Sequence, residues 1–82
     1  MKAKYIKTKN KEIIIFSELQ LHSEFSMFEP VSAGFIKIDT SNNNEPSCCC
    51  YGESISLNLK SNSEEDARLA RMQIFDLNDV RY

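Results

Sequence analysis

Alternation of polar and apolar residues opens the chain and then stops. Lys4 to Lys7 and Glu12 to Phe16 read as two strands of a hairpin flanking Thr8-Lys9-Asn10-Lys11, where Asn10 suits the left-handed conformation of a tight turn. The second strand runs Ile13, Ile14, Ile15, Phe16 with no polar break. So short an unbroken run fits a strand covered on both faces, or on one face and at an interface, and this predicts a central position in a sheet.

Ser17 ends that strand and, with Gln20 three residues on and Phe16 just before it, has the form of a capping box. Leu21, Phe25 and Phe28 then fall at i, i+4 and i+7, an apolar helical stripe predicted to pack on the sheet, while Glu18 and Glu24 stay outside and Pro30 prevents continuation. Val31 to Ile38 returns to strand character but changes phase, since Val31, Ala33 and Phe35 share one parity and Ile36 and Ile38 the other. Gly34 stands at the change, which predicts a structural bulge there. The polar stretch from Asp39 to Pro46 is a loop with no aromatic or basic group to grip a ligand.

Beyond it, Cys49, Tyr51, Ile55, Leu57 and Leu59 keep one parity, interrupted by Glu53. One strand of that length would exceed the usual span of about 3 to 10 residues, so two short strands or a sharp bend at Gly52 are expected. Ser61 and Ser63 each precede an acid by three residues, and Glu64-Glu65-Asp66 suits the positive end of a helix beginning near Ser63. Ala67, Ala70, Ile74 and Leu77 form the stripe predicted to lie on the sheet. Leu69, Met72 and Phe75 are then left outside, among Glu64, Arg68 and Arg71. An apolar centre with a charged rim has the composition of an interface, and Leu69, Met72, Phe75, Arg68 and Arg71 are the expected contact residues. The alternative for Phe75 is to fold back under Val80 and Tyr82.

The pattern therefore predicts one α+β domain over residues 1–82, an antiparallel sheet of four to five strands with two helices on one face, in the order β-β-α-β-β-(β)-α. At 82 residues the chain is near the lower size at which a core sustains folding unaided, so a partner chain would add stability. It opens Met1-Lys2-Ala3-Lys4, has no apolar run longer than Ile13 to Phe16 and no small-residue cleavage pattern, so neither a secretory signal nor a membrane span is expected and the location is read as cytoplasmic.

Charge and cysteines change this picture little. Five lysines (Lys2, Lys4, Lys7, Lys9, Lys11) and no acid occupy the first eleven residues, within a chain of net charge -2. The expected role of these lysines is to blunt an edge strand against aggregation. A nucleic-acid arm is the alternative, disfavoured because the stretch has no arginine and a single aromatic. In Cys48, Cys49 and Cys50 alternate projection along a strand sends the outer two to one face and the middle one to the other. They cannot converge on one ion, and packing is the expected role, with a thiol or metal site as the third alternative. The odd count and the compartment predict free thiols.

The single histidine, His22, has no nucleophile at a recognisable spacing and reads as structural. The carboxylates have polar neighbours, and two glycines are too few for a phosphate cradle. No catalytic residue, cofactor or metal is expected. The sequence points instead to a small protein-interaction module, homodimeric or docked on another protein in an accessory or inhibitory role.

Overall fold

The structure, a computed structural model, describes residues 1–39 and 47–75, without the side chain of Phe75. The expected loop beyond Asp39 and the parts assigned to Leu77, Val80, Tyr82 and the Phe75 ring lie outside the described residues. Strands β1 (Lys2–Thr8), β2 (Ile13–Phe16), β3 (Pro30–Asp39) and β4 (Ser47–Tyr51) form one antiparallel sheet in the order β2-β1-β3-β4. Strands β5 (Glu53–Ser54) and β6 (Leu59–Lys60) form a second, two-stranded one. A 3-10 helix spans His22–Phe28, and helix α1 spans Ser63–Phe75. The class is α+β, built on an antiparallel sheet, as the pattern predicts.

The arrangement departs from expectation in ways that share one cause. Both faces of the sheet are covered. Ala3, Tyr5, Ile13, Ile36, Ile38 and Cys50 bury one face against Ala70 of α1, while Ile6, Phe16 and Ala33 bury the other against Phe25 of the 3-10 helix and Leu57 and Leu59 of the β5–β6 unit. The two helices thus lie on opposite faces, not on one. The unbroken run in β2 follows from double cover, with Ile13 and Ile15 on the α1 side and Ile14 and Phe16 on the other. Yet β2 is an edge strand, and β1 is interior.

The change of phase in β3 has the same origin and needs no bulge at Gly34, where the register runs unbroken from Ala3↔Ile36 through Tyr5↔Gly34 to Lys7↔Ser32. The irregularity falls at Lys7/Thr8, opposite Pro30 to Ser32. Gly34 is required for a different reason: a Cβ there would stand 2.4 Å from the carbonyl oxygen of Tyr51 and 3.2 Å from Cβ of Ser61.

Turn chemistry also shifts by a residue or two. In the β1–β2 turn the left-handed residue is Lys11 (φ 67°), not Asn10, because Thr8 Oγ1 accepts the backbone N–H groups of Asn10 and Glu12 and sets the loop. Ser17 accepts from the N–H of Leu19 and closes a turn, and the helix begins only at His22. With about three residues per turn, its inward stripe is His22 and Phe25, so Leu21 is left at the surface. Glu29 (φ 55°) ends it before Pro30. The bend at Gly52 is where the pattern places it, and its φ of 81° carries the chain off β4 into β5.

Candidate functional site

Strand alternation puts Lys4 and Phe35 side by side on the face away from α1, as the register Lys4↔Phe35 shows. His22 lies beside them. Its Nε2–H donates to the carbonyl of Gly34 at 2.9 Å, and its ring meets Phe16 and Phe35 edge-on at 5.5 and 5.9 Å. Gly52 passes against the Phe35 ring, 3.0 Å from where a Cβ would sit, and Tyr51 stacks with that ring at 5.9 Å. Leu21 and Ile55 project over the gap with 55% and 87% of their surface exposed. Together with Glu53 and Ser56 these groups line a hollow of about 600 Å³. Its walls are largely apolar, and the polar side chains in its lining are those of Lys4, which donates to the carbonyl of Gln20 at 2.7 Å, His22, Glu53 and Ser56. A concave apolar surface with a few placed polar groups is suited to holding an apolar side chain.

Sequence reasoning missed this hollow. Leu21 reads as core at a helical spacing of 3.6 and becomes surface only because the helix is 3-10. Ile55 reads as part of a strand but sits in the turn between β5 and β6, where Asn58 (φ 57°) returns its N–H to the Ile55 carbonyl at 3.2 Å.

Burial pushes the His22 pKa down, aided by Lys4 and opposed by the Gly34 carbonyl. The folded protein therefore favours the neutral ring. The stability this contributes is present above the unfolded value of about 6.5 and is lost as pH falls through the lower folded value. As pH falls below about 6.5 the melting temperature should fall, whereas His22→Gln, whose amide can also donate to Gly34, should not show this fall. An equal fall in both proteins would assign the effect elsewhere.

On the α1 face a polar cluster is buried. Asp66, with no exposed surface, accepts through Oδ2 from Tyr5 Oη at 2.5 Å, Ser32 Oγ at 2.7 Å and the backbone N–H of Asn62 at 3.1 Å. Its Oδ1 has no hydrogen bond but faces the Lys7 ammonium, 3.0 Å away in an ion pair. Lys7, its side chain 7% exposed, also pairs with Glu65 at 2.9 Å, and Tyr5 Oη shares a 2.6 Å hydrogen bond with Ser61. Burial raises the Asp66 pKa, but the hydrogen bonds from Tyr5, Ser32 and Asn62 together with the Lys7 ammonium outweigh it and hold the carboxyl below its ordinary range. These groups pin the start of α1 to β1 and β3. Lys7 continues the buried parity of Ala3 and Tyr5, and Asp66 lies one turn before the buried Ala70, but no sequence pattern links the two.

This fixes the rotation of α1, which differs from the predicted one. Asp66 and Ala70 are buried, Ala67 and Leu69 pack against the core, Ile74 is 36% exposed, and Gln73 reaches from an exposed position to the backbone of Ile13. Of the five expected interface residues, Leu69 faces the core rather than the outside. Met72 is exposed, with Arg68 reaching its sulfur at 3.7 Å, and Arg71 is exposed near Cys48.

The lysines do not blunt an edge, because β1 is interior. Lys2 pairs with Glu18, Lys7 with Glu65 and Asp66, Lys9 with Glu29, and Lys11 reaches Glu65 at 3.9 Å. Four of the five lysines are thus matched by acids from elsewhere in the chain, and Lys4 donates to the Gln20 carbonyl instead. Cys48 and Cys50 lie on the α1 face and Cys49 on the other, all as free thiols. Among the described residues no group of three or more His, Cys, Asp or Glu is placed to hold a metal ion, and no helix is long and apolar enough to cross a membrane. No family model matches the chain, nor does any curated protein or solved structure.

Proposed function

We infer that the chain is a small protein-interaction module that works by docking, not by a reaction, and that it takes an apolar side chain of a partner protein into the hollow between Leu21, Phe35 and Ile55. The observation that carries this reading is the exposure of Leu21 and Ile55 at the mouth of a concave apolar site whose floor is held rigid by the His22–Gly34 hydrogen bond. Aliphatic groups exposed around a pocket with a charged rim are the composition of a contact centre. The setting is a reducing, cytoplasmic one, in keeping with free thiols on a β-strand.

Peptides selected from a random displayed library against the intact protein should carry a bulky apolar anchor. They should lose at least ten-fold in affinity toward a Leu21→Asp, Ile55→Asp double variant, which retains its fold because both side chains are exposed. Failure to select any peptide, or selected peptides that bind the variant equally well, would refute this reading.

A further inference from the structure

The two edges of the main sheet are not alike. Toward β2, the outward backbone groups of Ile13 are both occupied: its N–H donates to Gln73 Oε1 at 2.8 Å, and its carbonyl accepts from Gln73 Nε2 at 3.1 Å. A side chain from α1 thus completes part of that edge as a neighbouring strand would. At the other edge β4 has no such cover among the described residues.

The hydrogen-bonding phase of β4 follows from its neighbours. Ile38 exchanges both of its backbone hydrogen bonds with Met1, at 2.7 Å each, so its N–H and C=O point toward β1. Lys37 then points the other way, to its partner Cys49 in β4. It follows that Cys49 is bonded into the sheet, and that Cys48 and Cys50 turn their N–H and C=O groups outward. The strand Ser-Cys-Cys-Cys-Tyr carries no charge and no proline, and its pairing with β3 shows no bulge. The usual devices that keep such an edge from pairing are missing.

We propose that β4 pairs antiparallel with β4 of a second copy of this chain, about a two-fold axis at Cys49, to form a continuous eight-stranded sheet. The register is self-complementary: Cys48 of each copy exchanges backbone hydrogen bonds with Cys50 of the other, and Ser47 lies opposite Tyr51. No like charges meet across it. Helix α1 packs over β4 with Asp66 beside Cys50 and Arg71 beside Cys48, so its midpoint is level with Cys49. The two-fold therefore sets the two helices antiparallel on one face, with the Glu64 end of each toward the Arg71 end of the other. This arrangement uses a surface separate from the hollow and does not depend on it.

The register makes Cys49 its own reporter. Cys49 would sit opposite its copy in a non-hydrogen-bonded pair with Cα atoms about 4.5 Å apart. That lies within the range of about 4.4 to 6.8 Å that a disulfide spans. Diamide, which takes up two hydrogens as two thiols join, should cross-link the wild type and the Cys48→Ser, Cys50→Ser double variant, and should fail with Cys49→Ser. Light scattering under reducing conditions should give twice the 9.4 kDa chain mass for the wild type. Both Cys49→Lys, which opposes two charges, and Cys48→Pro, which removes an outward N–H at a position where an edge strand tolerates proline, should halve that mass. Circular dichroism should show the fold retained in at least one of the two. A wild type that remains monomeric at millimolar concentration, or a dimer that survives both substitutions and is lost with Met72→Glu, would overturn the proposal.

Discussion

Asp66→Ala should destabilise the protein by about 3 to 5 kcal/mol, the usual cost of removing one partner of a buried ion pair. The whole stability of a domain is on the order of 5 to 15 kcal/mol, and this one is small, so urea melts should show most of the folded state lost. The reason is local. Without the carboxylate, the Lys7 ammonium keeps only Glu65, Ser32 Oγ loses its acceptor inside the core, and Tyr5 Oη keeps only Ser61. Lys7→Met combined with Asp66→Asn should recover a large part of the loss, because the amide oxygen still accepts from Tyr5 and Ser32 and the only charge left, on Glu65, can reach water. If the double variant were as unstable as Asp66→Ala, hydrogen bonding and not charge would govern the cluster.

The same cluster sets the pH limits. The lowered Asp66 pKa contributes stability above the unfolded carboxyl value of about 3.9, lost as pH falls further. Burial lowers the Lys7 pKa, but Glu65 and Asp66 raise it by more. Burial and then the Asp66 carboxylate push the Tyr5 pKa well above its ordinary value. Both of these contributions are present below about pH 10 and are lost as pH rises.

Gly34→Ala should cost about 1 to 3 kcal/mol, the range for overpacking a filled site. Here the obstacle is the backbone oxygen of Tyr51, with the Gly52 carbonyl carbon 3.3 Å away, so no side-chain rotation relieves it. Relief must come from moving the Tyr51–Gly52 bend. Hydrogen exchange should therefore speed up first in β4 and at the Ser61 amide, which donates to Gly52. A variant as stable as the wild type, with β4 protected as before, would mean the bend gives way freely.

Much of the fold is legible in the sequence where one residue type forces one outcome. Gly52 supplies the bend, Pro30 the end of a helix, and the Glu64-Glu65-Asp66 cluster the start of α1. What fails is the assignment of faces. Periodicity reports whether a side chain is covered but not by which layer, so the double cover of β2 resembled a central strand and that of β3 resembled a bulge. Helix pitch fails for a related reason: Phe25 fits a stripe at 3.6 and one at 3.0 residues per turn, and only Leu21 distinguishes them. Asp66 was hidden because an acid in the first turn of a helix is ordinarily solvated. Its burial depends on Lys7 and Tyr5, which are too far away in sequence for any local pattern to link them.

That separation bears on how the protein is made. Strand β1 is synthesised before the other strands of the sheet and lies in its interior, yet Tyr5 waits for Asp66, 61 residues behind it. The β1–β2 hairpin can form early, but Lys7 has no acid to neutralise it in the core until the start of α1 has been synthesised. Closure of the sheet with its α1 face therefore waits for synthesis of α1, and a ribosome stalled before residue 66 would carry a hairpin whose inward face is still wet.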